Sequence, residues 1–148
     1  MTPEALFKIC NNVAVLGWLL LIAAGRKRWA SSLVTAVFIP LALALTYAFL
    51  IPLHWGETNG SFSTLPGVAA LFANRWLLLA GWIHYLAFDL FIGSWEVRDA
   101  IRNRIPHWAV IPCLILTFLF GPAGLLSYFA LRFAMRHTIE IAEIGSAS

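Results

Sequence analysis

The sequence predicts an all-α integral membrane protein, with four transmembrane helices in an antiparallel bundle and a single domain over residues 1–148. Hydrophobic residues make up 61% of the chain and charged residues 11%, and the mean hydropathy is +0.82. Soluble domains are typically about half apolar and a quarter charged. Four apolar stretches are also long enough to cross a hydrocarbon core of ~30 Å as helices. This composition excludes a soluble enzyme, a disordered chain and a nucleic-acid-binding protein.

The four predicted spans differ in how many polar residues they contain. They cover about residues 6–24, 33–53, 76–95 and 108–131, followed by a tail over residues 132–148. The first is the weakest, because Lys8, Asn11 and Asn12 lie in its first turns. The second and fourth carry no charge, whereas the third contains His84 and Asp89. We expect the tail either to extend the fourth helix along the membrane surface or to be solvated.

Basic residues between the spans predict the orientation of the bundle. Loops one and three contain six of them: Arg26, Lys27, Arg28, Arg98, Arg102 and Arg104. Loop two, about residues 54–67, contains none. The positive-inside rule then places loops one and three in the cytoplasm and both termini outside. Four residues count against this orientation: Arg132 and Arg136 in the tail, and Arg75 and Lys8 near the outer ends of the spans.

The third span contains the residues whose burial costs most, since a charge at the centre of a membrane helix costs ~2.5–3.5 kcal/mol or more. At 3.6 residues per turn, one stripe of this helix contains Trp82, Tyr85, Asp89, Gly93 and Glu96. A carboxyl group in apolar surroundings can keep its proton, which suits general acid or base chemistry. Asp89 is therefore the first candidate for a catalytic residue.

His84 is the second candidate, although it lies about 140° around the helix from Asp89, so the two do not face one point. Both have structural alternatives: Asp89 bonded to a polar group of a neighbouring helix, and His84 packed and donating to a carbonyl. For Glu96 we expect a solvated or interfacial ion-pair cluster with the charged residues that follow it. Because the chain contains neither H-x-x-x-H nor E-x-x-H, we expect no metal site and no cofactor.

Glycine, proline and aromatic residues indicate a cleft for a long apolar ligand. Pro122 predicts a bend in the fourth helix, and glycine allows a neighbouring helix or a flat ligand to come close. The alternative is ordinary packing of membrane helices. The candidate substrate-binding residues are Trp82, Tyr85, Gly93, Trp95, Trp18, Gly121 and Gly124.

Several of these residues form motifs with a family resemblance. The stretch from Phe88 to Trp95, FDLFIGSW, followed by Asp99-Ala100, resembles the abscisic-acid-deficient-four-like family of small four-helix membrane proteins. Three further motifs fit the same family in the same order: Asn12-x5-Trp18, Trp82-x-His84 and Gly121-Pro122-x-Gly124. The resemblance extends over nearly the whole chain.

In plants, members of this family are required to form neoxanthin from violaxanthin, which implies an epoxide-opening isomerisation of a carotenoid to an allene. The resemblance assigns Asp89 and His84 to a proton-transfer site. It implies a cofactor-independent isomerase that acts on a carotenoid or another isoprenoid lipid. Because no Ser- and Arg-rich leader precedes the first span, we expect a bacterial cytoplasmic (inner) membrane.

A non-catalytic role is the alternative hypothesis. The small size, the abundant aromatic residues and the lack of a convergent catalytic set fit a subunit that holds a carotenoid or lipid in a larger membrane complex, such as a photosynthetic one. The expected partners are thus a carotenoid or other isoprenoid lipid, membrane lipids and a larger membrane protein complex. A proton pathway is a third hypothesis that rests only on Asp89 and His84.

Overall fold

The computed structural model of the protein describes residues 2–138, in which the regular structure is entirely helical. Six α-helices follow one another: α1 (Pro3–Ala24), α2 (Ile39–His54), α3 (Leu65–Ala73), α4 (Arg75–Arg102), α5 (His107–Phe120) and α6 (Pro122–Arg136). A π-helical segment, Ala30–Phe38, leads directly into α2, and a short 3₁₀ turn, Trp55–Glu57, follows it. The all-α prediction is confirmed, whereas the count of four crossing helices is not.

Three stretches are long and apolar enough to cross a membrane: Pro3–Ala24, Ala30–Glu57 and Arg75–Arg102. They correspond to the first three predicted spans, and each is longer than its apolar segment. Caps explain two of the starts. The side chain of Thr2 accepts from the backbone N–H of Ala5, and the side chain of Asn74 accepts from Trp76 and Leu77. Such caps satisfy backbone donors that the first helical turn leaves open.

Helix α4 is the centre of the bundle, and α1 runs parallel to it. At one end Glu4 pairs with Arg75, and near the other end Gly25 lies beside Val97. We call the end that contains Glu4 and Arg75 the N-terminal face, and the end that contains the loop after Ala24 the loop-one face. These contacts give α1 one crossing, from the N-terminal face to the loop-one face.

The second crossing runs antiparallel to α4. Thr35 lies beside Ser94 near the loop-one face, where the Ser94 hydroxyl donates to Thr35 Oγ1 over 2.7 Å. His54 stacks on Trp76 at the N-terminal face, with ring centroids 4.8 Å apart. In the π-helical segment, the Thr35 hydroxyl donates to the backbone oxygen of Ala30 over 2.9 Å. This bond gives the buried hydroxyl group of Thr35 a partner within the π-helical segment.

The prediction of a fourth crossing over residues 108–131 is wrong, because the chain reverses at Gly121. Helices α5 and α6 have 14 and 15 residues, so each is about 22 Å long and too short to cross alone. A Cβ placed on Gly124 would lie 2.1 Å from the backbone nitrogen of Thr117. In a continuous helix these two residues would be about 10 Å apart along the axis. The two helices therefore form a hairpin.

The sequence at the turn explains the reversal. Gly121 has φ 39° and ψ −93°, a positive φ that glycine adopts without steric cost. Pro122 begins α6, where its missing N–H leaves no helical hydrogen bond unmade. The proline predicted a bend in one helix, whereas the structure has two helices packed side by side.

The hairpin changes the predicted placement of the end of the fourth apolar stretch. The side chain of Arg136, at the end of α6, donates to the backbone oxygen of Arg104, which follows α4. The end of α6 therefore lies at the loop-one face, so the prediction that both termini lie on one side fails at this helix. The part of the predicted tail beyond residue 138 lies outside the described residues.

The hairpin also moves two of the four basic residues that opposed the predicted orientation, whereas Lys8 and Arg75 stay at the N-terminal face. Eight of the ten Lys and Arg residues now lie at or near the loop-one face. They are Arg26, Lys27, Arg28, Arg98, Arg102, Arg104, Arg132 and Arg136. Arg132 and Arg136 no longer count against loops one and three, because they are on the same side.

This topology predicts opposite accessibility of two single-cysteine probes. In a chain whose Cys10 and Cys113 are replaced by alanine, a cysteine at Thr2 and a cysteine at Thr138 should react with a membrane-impermeant maleimide from opposite sides. The measurement compares intact cells with inverted vesicles. Labelling of both probes from the same side would restore the fourth crossing and contradict the hairpin.

Candidate functional site

The tip of the hairpin meets the side chain of Asp89 in the middle of the third crossing. A Cβ placed on Gly121 would lie 2.9 Å from Asp89 Oδ1 and 3.1 Å from Oδ2, so the carboxyl group lies directly against this glycine. Asp89 is near the midpoint of α4, about 20 Å along the helix from either end. Among the described residues, its buried Oδ2 has no hydrogen-bond partner. The structure thus brings Asp89 and Gly121 together.

The N-terminus of α6 gives the tip a favourable environment for negative charge. Pro122 has no N–H, and the N–H groups of Gly124 and Leu125 donate to the Gly121 oxygen, but the helix dipole places partial positive charge at this end. Asp89, which is partly buried, lies at this helix end. A broken helix with its end in the middle of a membrane is a recurrent way of building a binding site.

Tyr85 ties the hairpin to α4 one turn before Asp89. Its hydroxyl donates to the backbone oxygen of Phe118 over 3.1 Å, a carbonyl of the last turn of α5. Tyr85 also stacks on Trp82, with ring centroids 5.3 Å apart. Trp82, Tyr85 and Asp89 thus lie on one face of α4 near the hairpin tip, as the sequence predicted.

Trp18 fills the space over Gly93. A Cβ on Gly93 would be 2.5 Å from the Trp18 ring, and this ring also packs on Phe118 with centroids 5.6 Å apart. Both Trp18 and Gly93 are buried. Gly124 contacts the backbone of Thr117, as described above. These three predicted ligand-binding residues therefore pack the bundle, and the place left for a ligand lies elsewhere.

Trp95 also packs within the protein. Its ring contacts the rings of Tyr128 and Phe129, with both centroid distances 5.6 Å. It lies partly buried between α4 and α6, below the hairpin tip. This position gives Trp95 a role in fixing the hairpin.

His84 lies on another face of α4 and does not meet Asp89. Its ring is exposed and packs against the rings of Tyr47 and Phe88, with centroids 5.8 Å and 4.5 Å apart. It lines a cavity of about 310 Å³ between α2, α3 and α4. The separation follows from the 140° angle along the helix, so the structure does not combine the two predicted catalytic residues.

A lateral recess lies between the hairpin tip and the N-terminal face. This cavity of about 450 Å³ lies between α1 and α4, a volume typical of small-molecule sites. Phe7 and Trp82, each 40% exposed, form part of its wall. Lys8 and Arg75 line its outer end. Trp82 shares a stripe of α4 with Tyr85 and Asp89, so the recess and the Asp89 carboxyl lie along one side of this helix.

Glu96 is a buried residue for which the sequence analysis expected the wrong surroundings. It has no solvent exposure, and its Oε1 accepts from the Thr117 hydroxyl over 2.9 Å. Its Oε2 has no hydrogen-bond partner among the described residues. The expected surface cluster with neighbouring charges is wrong because the hairpin covers this turn of α4. The partner is 21 residues away, and no local pattern indicates it.

A buried ionic cluster around Asp99 was not predicted from the sequence. The Tyr128 hydroxyl donates to Asp99 Oδ2 over 2.6 Å, and a nitrogen of Arg132 lies 3.3 Å from the same oxygen. Asn103 Nδ2 donates to this oxygen too, over 3.1 Å. Asp99, Tyr128 and Arg132 are all at most 2% exposed. The spacing of Tyr128 and Arg132, one turn apart in a helix, was the available signal.

No group of three His, Cys, Asp or Glu side chains that could hold a metal ion occurs in the described residues. The acidic residues of α4 are instead separated along its length. The arrangement at the hairpin tip offers one carboxyl group with an unused oxygen at a helix N-terminus. The recess lies about two turns of α4 away, where its lining on this helix ends at Trp82. The carboxyl group can hold or transfer a proton and can orient a polar group of an apolar molecule.

Comparison with known proteins gives one match. A model of the ABA DEFICIENT 4-like family matches residues 5–128, which include the first three crossings and the hairpin tip. Neither a curated protein nor a solved structure matches the chain significantly.

The close contact in the hairpin predicts that Gly124→Ala destabilises the protein. The added Cβ would lie 2.1 Å from Thr117 atoms, and overpacking of this kind costs about 1–3 kcal/mol. The measurement is the free energy of unfolding in detergent micelles. Gly56→Ala is the matched control, since nothing lies within 4 Å of that Cβ. A stabilising effect of about 1 kcal/mol, as expected in a straight helix, would contradict the hairpin.

The buried cluster predicts a cost for Tyr128→Phe, which removes one hydroxyl and keeps the ring. Losing the donor to Asp99 should reduce the free energy of unfolding by about 1–3 kcal/mol, because the carboxylate keeps its buried position. Tyr47→Phe, at a partly buried ring outside the cluster, should change it by less than about 0.5 kcal/mol. Equal effects of the two variants would show that the hydroxyl bond to Asp99 contributes nothing.

Proposed function

The chain belongs to the ABA DEFICIENT 4-like family, and on this premise we propose that it is a membrane-embedded isomerase of a carotenoid or related isoprenoid lipid. The proposed enzyme uses no cofactor, and Asp89 carries out its proton transfer. The observation that carries the proposal is the position of the Asp89 carboxyl against Gly121, with one buried oxygen unpartnered. The proposal concerns a site within the membrane, where such a lipid dissolves.

The shape of the recess supports an elongated apolar substrate. From Arg75 to Asp89 the recess side of α4 extends for about 20 Å, past the exposed ring of Trp82. The charged side chains at its outer end, Lys8 and the paired Glu4 and Arg75, suit a polar end group. In this proposal the isoprenoid chain lies along Trp82 and Tyr85, and its reacting end reaches Asp89.

The chemistry of an epoxide-opening isomerisation needs one proton donor and one proton acceptor. The acid gives a proton to the epoxide oxygen while the carbon–oxygen bond breaks, and the base takes a proton from a neighbouring carbon. Substrate and product contain the same atoms, so no oxidant or reductant is consumed. In the proposal, the Asp89 carboxyl gives the first proton and, once ionised beside the N-terminus of α6, can accept the second.

Non-catalytic binding of the same lipid within a larger membrane complex is the second candidate. The observation that favours it is the separation of His84 from Asp89, which leaves one titratable group at the hairpin tip. The role of His84 stays a prediction. A binding subunit would hold the lipid in the recess unchanged, and Asp89 would orient a hydroxyl or keto group.

We also propose that the loop-one face is cytoplasmic, in a bacterial inner membrane. Eight of the ten Lys and Arg residues at or near this face support the orientation, because cytoplasmic segments close to membrane helices carry an excess of basic residues. The N-terminal face has Lys8 and Arg75, together with the acidic residues Glu4 and Glu57. The recess then opens toward the outer leaflet.

Asp89→Asn should abolish conversion of the lipid while the protein still inserts and folds. The amide keeps the shape of the side chain but neither donates an acidic proton nor accepts one as a base. The measurement is the carotenoid and isoprenoid profile of cells that express the wild type, the variant or neither. Glu57→Gln is the control, because it makes the same chemical change at an exposed position.

Two results of that experiment would overturn the catalytic proposal. Full conversion by the Asp89→Asn protein would remove Asp89 from the mechanism. An unaltered profile in wild-type cells, with unchanged pigment that purifies with the protein, would favour the binding role instead.

A further inference from the structure

A third pocket lies at the loop-one face, on the side of α4 opposite to Asp89. It has a volume of about 460 Å³. Four arginines and two serines line it: Arg26, Arg28, Arg98, Arg102, Ser31 and Ser32. We call it the arginine pocket. Arg98 follows Asp89 by nine residues, which is half a turn more than two full turns of helix, so the arginine pocket is separate from the hairpin site.

The charges in the arginine pocket are not balanced by the protein. Arg98 and Arg102 lie one turn apart on α4, a spacing at which like charges repel. Among the described residues no carboxylate lines the pocket. Asp99 is the nearest acidic side chain, with its Oδ1 3.9 Å from Arg102, but its other oxygen is bound to Tyr128, Asn103 and Arg132. An anion in the pocket would remove this repulsion.

A buried hydroxyl group adds a donor at the same place. Ser31 is 1% exposed, lines the pocket, and its Oγ has no hydrogen-bond partner among the described residues. The guanidinium of Arg98 donates to the backbone oxygen of Ser31, which holds this arginine at the wall of the pocket. Arginine forks and hydroxyl donors are the groups that bind phosphate oxygens.

An apolar groove lies deeper in the membrane, on the same side of α4 as the arginine pocket and separate from it. It has a volume of about 260 Å³ and lies between the second crossing and α4. Pro40, Leu41 and Ala44 line one wall, and Ala87 and Phe91 the other. Phe91 precedes Arg98 by seven residues, two turns, and therefore lies on the same side of α4. Ala87 is about 16 Å from Arg98 along the axis, close to the ~15 Å thickness of one hydrocarbon leaflet.

We propose that the arginine pocket and the groove together bind one anionic phospholipid of the leaflet at the loop-one face. The phosphodiester of its headgroup lies among Arg26, Arg28, Arg98 and Arg102, and one acyl chain lies in the groove. Only an anionic phospholipid would occupy both features at once. Free phosphate would occupy the arginine pocket alone, and the acyl chain of a neutral lipid would occupy the groove alone. This inference depends on the membrane location and is independent of the proposed isomerase activity.

The test measures lipid binding by the purified, delipidated full-length chain in micelles, by native mass spectrometry with added phosphatidylglycerol or phosphatidylcholine. We expect phosphatidylglycerol to bind about tenfold more tightly or better, since each basic residue near an anionic lipid contributes a severalfold gain. Equal binding of the two lipids would overturn the proposal. So would an equal loss of binding in Arg28→Gln and Lys27→Gln, because Lys27 is an exposed neighbour that does not line the pocket.

A second pair of variants separates a lipid from a free anion. Ala44→Phe should fill the groove and reduce phosphatidylglycerol binding about tenfold, whereas Ala48→Phe, one turn further along at an exposed position outside the groove, should leave it unchanged. Inorganic phosphate should compete only weakly. If inorganic phosphate competes as well as phosphatidylglycerol and Ala44→Phe has no effect, the pocket binds a free anion and the lipid proposal is wrong.

Discussion

The reversal of the chain at Gly121 in the middle of the membrane is the constraint from which the rest of the structure follows. Backbone groups in hydrocarbon must find partners inside the protein, so a helix end at this depth must be packed and hydrogen-bonded. Tyr85 donates to Phe118 O, and Asp89 lies against Gly121. The two ends of the hairpin return to one face, where Arg136 bonds to Arg104. The depth of the helix end, the position of the Asp89 site and the distribution of basic residues thus all follow from the reversal at Gly121.

The hairpin also explains why the buried polar residues are distributed along α4 as they are. Below the tip, α5 and α6 cover Glu96 and Asp99, and each finds a partner on the hairpin: Thr117 for Glu96, and Tyr128 with Arg132 for Asp99. A buried ion pair of this kind is weak support for stability but costly to break. Asp89 is at the tip, where the cover ends, and keeps an unpartnered oxygen about two turns of α4 from the lateral recess. The structural and the candidate functional acids are therefore separated by depth.

Much of the fold and part of the candidate site could be predicted from the sequence. The remaining features depended on contacts between helices, which hydropathy does not report. The first three crossings can be predicted from the length and composition of the apolar stretches. That Tyr85 and Asp89 share one face of α4 can be predicted from their helical spacing. Hydropathy does not distinguish a chain that crosses from one that turns back, because both need about the same number of apolar residues. Two signals favoured the hairpin: Gly121-Pro122 at the middle of the fourth stretch, and basic residues at both of its ends. Burial of Glu96 depended on that topology and could not be predicted without it.

The two proposed sites lie on opposite sides of α4, and both extend along its length within the bilayer. The recess and Asp89 lie on one side of α4, while the arginine pocket and its groove lie on the other.

The most direct test of the reversal at Gly121 is the distance between spin labels at positions 104 and 136 in lipid bilayers. The hairpin predicts that the two labels are close neighbours. A distance of about 48 Å, the length of an unbroken helix over those residues, would contradict the reversal at Gly121 and the site built on it.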